Sequence, residues 1–410
     1  MVSKYDVFYV IAKKGETSIS EIVKKLNKDK EDYQNIFNKV FVLEKEKYVV
    51  RKKTIQIVNE PKPIQLFNLI SFCIHNSINY NILFKQNMLE LLEKASKKEF
   101  FTNKDIMIHP QTFKLYTEAL ARYGFLLIIS KKPLRCKLLK HHFIIDLLKF
   151  FNKKTTFYKP KEYNFTKEIN KEMKKYRKNL KIHPQEFQQL ENKDKINFIH
   201  ASLSLEGNPM TLPETQKLIL KNLIPETKNL QSIQEINNYK QAVDLMVKNT
   251  KRKIKLDIEL ILKYHELAMN QIVEAGTTRK QNVIIKNNPN FKTSNWINIK
   301  QKLTNLLNKY EEFETKKRDV NSIIEFAAYF HNEFQRIHPF IDGNSRTTRL
   351  LTLHILRKAR IPILDIPLGY FDQYLDLTKR SKKRDDDALK NLLGEIILTN
   401  LKNMNRKIQS

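Results

Sequence analysis

The residues best suited to chemistry lie within one stretch of twelve, from His338 to Arg349. The imidazole of His338 can take a proton from an attacking hydroxyl. Asp342 offers a hard carboxylate oxygen of the kind that binds Mg²⁺ between phosphates. Arg346 and Arg349, three residues apart on a helix, place two guanidinium groups on one side. These residue types predict phosphoryl or nucleotidyl transfer from a polyphosphate donor.

The elements around this stretch must place these groups about a single anion. An apolar-faced helix over 320–337 is predicted to lead into it, and a second helix over 343–360 is predicted to leave it. A tight turn before a helix N-terminus presents free amides, expected here at Gly343, Asn344 and Ser345, and the helix dipole favours negative charge there. Gly343 also permits close approach of the backbone to a phosphate.

The overall charge indicates a class of partner. The 410 residues carry 75 Lys and Arg against 44 Asp and Glu, a net charge of +31 that attracts nucleotides and nucleic acid. The surplus is spread along the whole chain, and an AT-biased genome can also produce this Lys-, Ile- and Asn-rich composition. Charge therefore adds only modest support for nucleic-acid binding.

Cysteine, glycine and apolar patterns narrow the class further. Cys73 and Cys136 lack the spacing of a metal or redox pair, which is typical of a reducing cytoplasm. No apolar run is long enough to span a bilayer, and the N-terminus lacks a signal-peptide pattern, so we expect a cytoplasmic protein without a membrane partner. With seven glycines in the chain, glycine-rich nucleotide loops of the Rossmann or Walker type are absent.

Helical periodicity dominates the chain from about residue 157 onward. Candidate helices lie near 165–178, 185–205, 212–221, 232–250, 256–272, 296–314, 320–337, 343–360 and 386–403. The stretch over about 276–292 lacks this period and is predicted to be irregular or a hairpin. We therefore expect an all-α domain with one such insertion.

The first 156 residues show short helices and β-rich runs instead. Residues 1–60 and 61–156 each contain a helix-turn-helix-like segment followed by strands, an order that resembles winged-helix domains. The groups that favour DNA binding lie on the predicted third helix and the basic tip of the second segment: Gln111, Thr112, Lys114, Lys131, Lys132 and Arg135. A role in protein contacts stays open for both segments.

The segment from His338 to Arg349 resembles the signature of the Fic family: His, any, Phe, any, Asp or Glu, Gly, Asn, Gly or Lys, Arg, any two, Arg. Ser345 departs from the pattern but still offers a backbone amide. The resemblance implies ATP as donor, Mg²⁺ on Asp342, and the arginines on the β- and γ-phosphates. The acidic residue at position 342 implies that the α-phosphate faces His338 and that AMP is transferred.

Residues 202–208, Ser-Leu-Ser-Leu-Glu-Gly-Asn, resemble the inhibitory motif of the same family, which begins at Ser202. The resemblance implies that Glu206, on a helix near 194–208, pairs with Arg349 and occupies the space of the ATP γ-phosphate. An arginine engaged by a carboxylate is not free for phosphate. The alternative is an ordinary helix end, because Glu-Gly-Asn is also a stop signal.

Two further positions resemble features of the family. Val283, Ile284 and Ile285 lie in a stretch similar to the flap that docks a target segment by strand addition. Tyr374 lies where the family often has a side chain near the nucleotide. A plain loop and simple core packing are the respective alternatives.

These observations predict a mainly α protein: a Fic-type helical bundle over 157–410 with a small β-hairpin flap, preceded by one or two winged-helix α+β domains over 1–60 and 61–156. The predicted activity is transfer of AMP from ATP to a Ser, Thr or Tyr hydroxyl of a target protein or of the chain itself, inhibited by Glu206. Removal of AMP on the same fold, and a DNA-binding regulator whose Fic domain senses nucleotide, stay open as alternatives. The oligomeric state is also open, with a homodimer among the arrangements that the sequence permits.

Overall fold

The computed structural model of the chain describes residues 2–158, 165–225, 228–285 and 288–408. Its internal contacts divide the chain into two units, Met1–Lys159 and Pro160–Ser410. Across these described ranges, no helix is both long enough and apolar enough to cross a bilayer.

The first half of the first unit contains helices and a small antiparallel sheet. Its elements are α1 (Lys4–Lys14), β1 (Glu16–Thr17), α2 (Ile19–Lys25), α3 (Tyr33–Lys45), β2 (Val49–Arg51) and β3 (Ile55–Ile57). The strand order is β1-β3-β2. Capping boxes start the first two helices, because Ser3 with Asp6 and Ser18 with Glu21 exchange side-chain and backbone hydrogen bonds.

The second half of this unit adds further helices and a second hairpin. Its elements are α4 (Pro61–His75), α5 (Tyr80–Leu83), α6 (Gln86–Ser96), α7 (Asn103–Ile106), α8 (Pro110–Arg122), β4 (Leu126–Lys131), β5 (Leu134–Leu138) and α9 (His142–Phe150). Strands β4 and β5 pair antiparallel. The element order fits the winged-helix interpretation of both halves, which stays a prediction.

Two elements of this unit differ from the sequence-based expectation. The sequence also predicts a helical stretch near 81–97, but the structure breaks it into α5 and α6, because Lys85 takes an extended ψ of 139° and starts the second helix. Helix α9 was not expected, since its apolar residues follow those of β5 directly. Its start is marked instead by the His141 ring, which accepts a hydrogen bond from the Phe143 amide.

Helices build the second unit, and its described residues contain no strand. They are α10 (Thr166–Ile182), α11 (Pro184–Ser204), α12 (Leu212–Lys221), α13 (Leu230–Lys251), α14 (Ile258–Met269), α15 (Ile299–Thr315), α16 (Val320–Ile337), α17 (Asn344–Lys358), α18 (Phe371–Leu377) and α19 (Asp386–Ile408). The mainly helical fold predicted from periodicity is confirmed.

Helix α17 lies at the centre of this unit. Helices α11, α13, α14 and α16 all contact it, and every residue from Arg346 to Leu356 is buried. A helix buried all round cannot shift without disturbing its neighbours. The N-terminus of α17 is therefore a rigid platform, and the His338–Arg349 segment lies there.

Candidate functional site

The turn between α16 and α17 is closed by its own side chains. His338 ends α16 in a left-handed conformation, with φ 50°, and Gly343 caps α17 with φ 79°. The side-chain oxygen of Asn344 accepts from the Phe340 amide at 2.9 Å, and its Nδ2 donates to the Phe340 carbonyl at 2.8 Å. Asn344 thus shapes the turn with its side chain, in addition to any role of its amide.

Gly343 is required by both backbone conformation and space. A Cβ at this position would lie 2.6 Å from Met269 Cγ and 3.1 Å from His265 Nε2. His265 stabilises the turn. Its Nε2 lies 3.0 Å from the Asp342 carbonyl, and its Nδ1 accepts a hydrogen bond from the Gly276 amide at 3.0 Å. These partners place the imidazole proton on Nε2. Burial lowers the pKa of His265 to about 4, so the ring is neutral.

His338 is held as a neutral base. Its Nδ1 lies 3.1 Å from the Gln335 carbonyl, which places the proton on Nδ1 and leaves the Nε2 lone pair free to accept. Burial lowers the pKa of His338 to about 4, although the bond to Gln335 opposes this shift. An imidazole with this tautomer and this pKa can take a proton from a hydroxyl near neutral pH.

Arg279 joins the predicted flap to the turn that carries His338. Its Nε donates to the His338 carbonyl at 2.7 Å, and its backbone amide donates to the Pro339 carbonyl at 2.8 Å. Its other two nitrogens donate to the carbonyls of Gln281 and Ser294. The guanidinium is buried, so these carbonyls satisfy the hydrogen-bonding groups that it takes out of water.

The flap residues themselves form no strand in their described part. Val283 is half-buried, Ile284 is 81% exposed and Ile285 is buried. Side-chain hydrogen bonds, and not a β-ladder, connect this stretch to residues 293–296. Thr293 Oγ1 donates to the Val283 carbonyl at 3.0 Å, and the Asn282 side chain accepts from the Trp296 amide at 3.0 Å.

Arg349 is buried against the end of helix α11. Its Nε donates to Ser202 Oγ at 2.7 Å, and its Nη2 donates to the Ser202 carbonyl at 2.8 Å. The same Nη2 lies 2.9 Å from Glu206 Oε1, and Lys379 Nζ lies 3.1 Å from Glu206 Oε2. Burial would raise the pKa of Glu206, but the charges of Arg349, Lys379 and Arg346 outweigh it and hold that pKa at about 2.

Helix α11 (Pro184–Ser204) begins and ends earlier in the chain than the helix expected near 194–208. It ends at Ser204, and Gly207 turns the chain with φ 91°. Glu206 therefore lies in the turn after the helix, where its amide donates to the Leu203 carbonyl at 3.0 Å. The helix end and the contact with Arg349 are both present, so the two interpretations of Glu-Gly-Asn are compatible.

Asp342 and Arg346 face each other at the start of α17. Asp342 Oδ2 lies 3.3 Å from Arg346 Nη2, and Asp342 Oδ1 accepts from the Gly343 amide at 2.6 Å. The expectation that the Gly343 amide is free was wrong, because the adjacent carboxylate takes the donor at this helix N-terminus. Ser345 lies half-buried in the first turn of α17.

Arg346 keeps one nitrogen without a hydrogen bond. Its buried Nη1 has no hydrogen-bond partner among the described residues, and its nearest acidic group is Glu235 Oε1 at 3.6 Å. A buried donor of this kind is costly to leave unpaired. Nη1 of Arg346 can therefore donate a hydrogen bond to a further acceptor.

Tyr374 lies beside Arg349. It is buried, and its hydroxyl bonds to the Arg349 side chain and lies 3.2 Å from His331 Nε2. His331 Nδ1 lies 2.8 Å from Thr352 Oγ1. Because the Thr352 hydroxyl donates to the Thr348 carbonyl, His331 donates from Nδ1 and accepts at Nε2. This chain of contacts fixes the position of Tyr374.

The structure thus gathers most of the sequence-predicted site around the N-terminus of α17. Sequence reasoning missed several residues that support it: His265, Tyr239, Glu235, His331 and Lys379. Tyr239 accepts from Ser202 Oγ at 2.8 Å and donates to the Arg346 carbonyl at 3.1 Å. These side chains come from segments that are separated from the start of α17 along the chain, so no local pattern marks them.

Comparison with known proteins identifies this region. Residues 255–356 match the model of the Fic/DOC family. The chain is 28% identical to the "Protein adenylyltransferase Fic" of Drosophila persimilis over 189 residues, which cover 46% of this chain and 36% of that protein. The homologous protein of Drosophila erecta is 29% identical, with 46% and 37% covered. The chain therefore spans little more than a third of the length of these curated relatives.

Two solved structures share the fold. A Fic domain containing signaling protein from Bacteroides thetaiotaomicron aligns with a TM-score of 0.53 and 19% identity, covering 59% of this chain and 97% of that chain. Fic-1 from C. elegans aligns with a TM-score of 0.50 and 14% identity, covering 93% and 94%. The matched stretch, residues 255–356, includes the His338–Arg349 segment, so the resemblance to the Fic family seen in the sequence is confirmed. Residues Ser202, Glu206 and Tyr374 lie outside the stretch that the family model matches.

Substituting Gly343→Ala should destabilise the second unit more than Gly207→Ala. Both glycines have positive φ, which costs roughly 1–2 kcal/mol with a side chain. Only Gly343 also has close neighbours, so we expect about 1–3 kcal/mol of further loss from overpacking. Denaturant unfolding followed by the fluorescence of Trp296, the one tryptophan of the chain, measures both. Equal losses would contradict the tight contact at Gly343.

The lowered pKa of His338 predicts how its charge depends on pH. Because the folded pKa of about 4 lies below the usual value of 6.5, the ring should stay neutral from about pH 8 down to about pH 5 and gain its proton only nearer pH 4. Histidine side-chain NMR over this range, with His338→Ala to assign the signal, measures it. A midpoint between pH 6 and 7 would show that the ring is not held neutral.

Proposed function

We propose that the chain is a protein adenylyltransferase, which transfers AMP from ATP to a hydroxyl of a protein. One observation carries the proposal: a neutral His338 with a free Nε2 shares a helix N-terminus with two arginines, inside a Fic domain. A sensor of nucleotide would need the arginines but no base. The name of the Drosophila relatives, protein adenylyltransferase, supports the same activity.

In this proposal the triphosphate binds over the turn. Arg346 and Arg349 bind the β- and γ-phosphates, and the amides of Asn344 and Ser345 in the first turn of α17 contribute hydrogen bonds. The unpaired Nη1 of Arg346 supplies a donor that is already desolvated. Tyr374 holds Arg349 from the buried side and lies near the nucleotide.

The proposed reaction is a single displacement at the α-phosphorus. His338 Nε2 takes the proton of a Ser, Thr or Tyr hydroxyl as the oxygen attacks. A bond forms between that oxygen and the α-phosphorus, and the bond from the α-phosphorus to the β-phosphate oxygen breaks. Pyrophosphate leaves with its electron pair, and the proton on His338 is then lost to solvent. Arg346 and Arg349 stabilise the charge that develops on the leaving group.

Asp342 is the proposed Mg²⁺ ligand. A single carboxylate beside the phosphates fits Mg²⁺, which typically takes one or two carboxylates and completes its shell with phosphate oxygens and water. The Asp342 side chain is 58% exposed, so it is accessible to a hydrated ion. When bound, the ion would neutralise phosphate charge. No other acidic side chain lies within 4 Å of Arg346 among the described residues except Glu235.

The target is proposed to dock along the flap. Ile284 presents an exposed apolar side chain between the half-buried Val283 and the buried Ile285, an alternation that suits addition of an extended segment. Arg279 ties the flap to the His338 carbonyl, so a docked segment would be held in a fixed relation to the base. The target is either another protein or the chain itself, and a homodimer would allow one copy to modify the other. Two buried free thiols, Cys73 and Cys136, agree with a cytoplasmic location.

Glu206 is proposed to inhibit the enzyme by occupying the γ-phosphate position. Its carboxylate accepts a hydrogen bond from Nη2 of Arg349, and Ser202 accepts hydrogen bonds from Nε and Nη2 of the same side chain. A triphosphate cannot bind Arg349 in the same way until this contact opens, and the carboxylate would repel it.

Substituting Glu206→Gly should raise self-modification by ATP and Mg²⁺ about tenfold or more, within the range of typical coupling energies. Adding His338→Ala should abolish it. Glu191→Gly is the matched control, because Glu191 lies in α11, the helix that precedes Glu206, and pairs with Arg357 instead, at 2.7 Å. Intact-protein mass spectrometry, which detects the addition of AMP, measures all four proteins.

Equal labelling of these proteins would contradict the transferase proposal. Removal of AMP is the alternative on the same fold, in which Glu206 positions a water. Incubating the wild type with an AMP-modified target distinguishes the two, because release of AMP that depends on Glu206 would favour the hydrolase.

A second proposal concerns the first unit and DNA. Gln111 and Lys114 are exposed on α8, and Lys131 and Lys132 are exposed at the hairpin tip. Arg135 is also exposed and lies with its guanidinium over the Phe100 ring, 4.4 Å from the centroid. A regulator whose Fic domain senses nucleotide would use this surface on DNA.

Changing Lys131 and Lys132 together to Glu should weaken binding to a short DNA duplex of mixed sequence and lower the salt dependence. The expected change in the slope of log K against log salt is about 2, one for each lost phosphate contact. Fluorescence anisotropy at several salt concentrations measures it. The same change at Lys24 and Lys25 is the control for net charge, and equal effects of the two pairs would contradict a specific surface.

A further inference from the structure

Lys379 is the second cation that holds Glu206. Its Nζ lies 3.1 Å from Glu206 Oε2, while Arg349 Nη2 lies 2.9 Å from Oε1. Each oxygen of the carboxylate therefore has its own cation. Within the part of the chain that the structure describes, Glu206 is the only carboxylate in ion-pair contact with either of them.

The backbone around Lys379 is fixed. It follows helix α18, and the Arg380 amide donates to the Leu375 carbonyl at 2.8 Å. The buried Asn288, at the far end of the flap, donates from Nδ2 to the carbonyls of Lys379 and Ser381 at 3.1 and 3.2 Å. The backbone at Lys379 is therefore tied to Asn288, and its side chain reaches Glu206.

The charge of Lys379 also acts on His338. After burial, the charge of Lys379 is among the causes that lower the pKa of His338. The Lys379 side chain is 38% exposed, whereas that of Arg349 is 3% exposed. Lys379 thus approaches the carboxylate from the solvent side and Arg349 approaches it from the protein side.

We propose that Lys379 binds the terminal phosphate of ATP once Glu206 has left, and so makes the site prefer a nucleoside triphosphate to a diphosphate. The inference rests on the proposed function, in which the Glu206 carboxylate occupies the γ-phosphate position. Carboxylate and phosphate both accept through two oxygens, and lysine pairs with either as a point charge. When Glu206 moves away, an anion in its place keeps both cations paired, which matters most for the buried Arg349.

The test compares ATP and ADP affinities, measured by isothermal titration calorimetry. The parent protein carries Glu206→Gly, which clears the position, and His338→Ala, which prevents turnover. Adding Lys379→Met should weaken ATP binding by about tenfold to a hundredfold, the value of one charged hydrogen bond, and change ADP binding by less than about threefold. Lys379→Arg should keep most of the preference for ATP. Lys382→Met, an exposed lysine of the same loop, is the control and should change neither affinity.

Two results would overturn the proposal while leaving the proposed function intact. Equal weakening of ATP and ADP would mean that Lys379 does not distinguish the terminal phosphate. No change in either affinity would mean that it only holds Glu206. A parent protein that binds no ATP, although its thermal unfolding matches that of the wild type, would instead contradict the proposed function itself.

Discussion

The buried guanidinium of Arg349 requires an anionic partner, and this requirement determines the contacts around it in the second unit. Arg349 lies in the most enclosed helix of that unit, with its side chain only 3% exposed. An unpaired charge in such a place is costly, so its surroundings supply acceptors: the Ser202 hydroxyl and carbonyl, the Glu206 carboxylate and the Tyr374 hydroxyl. Ser202 lies in the last turn of α11, and Glu206 lies in the turn that follows it. The contact between α11 and α17 is therefore electrostatic as well as apolar.

Burial, with a smaller contribution from arginine charges, keeps the nearby imidazoles neutral. Burial lowers the pKa of His331 to about 3 and those of His265 and His338 to about 4, and arginine charges add to the effect at each ring. A neutral imidazole has one donor and one acceptor nitrogen, and the three rings use these nitrogens differently. His265 donates to the turn, His331 accepts from Tyr374, and His338 keeps its acceptor nitrogen free. Two of these neutral histidines thus hold neighbouring groups, and the third, His338, is the proposed base.

The local parts of this account could be predicted from the sequence. Periodicity predicted nine of the ten helices described in the second unit to within about five residues and missed the short α18 (Phe371–Leu377), and the signature from His338 to Arg349 predicted the turn. The pairing of Glu206 with Arg349 was also expected, because residues 202–208 resemble the inhibitory motif of the Fic family. A family resemblance was needed to say which arginine it meets.

The supporting residues could not be predicted, for physical reasons. His265 and Tyr239 lie in apolar helix faces, where a core residue and a hydrogen-bonding residue look alike. Lys379 lies in a lysine-rich run, so its charge carries no signal until the fold brings it to Glu206. The Gly343 amide was expected to be free, but the adjacent Asp342 carboxylate satisfies it. Such contacts depend on distances between elements that are remote in sequence.

A crystal structure of the Glu206→Gly protein with a non-hydrolysable ATP analogue and Mg²⁺ tests the central claim most directly. The account predicts that Arg349 exchanges the lost carboxylate for an oxygen of the terminal phosphate, and that the α-phosphorus faces His338 Nε2 across the space for one hydroxyl. A nucleotide bound away from the start of α17, or one whose phosphates leave Arg349 in contact only with Ser202 and Tyr374, would contradict it.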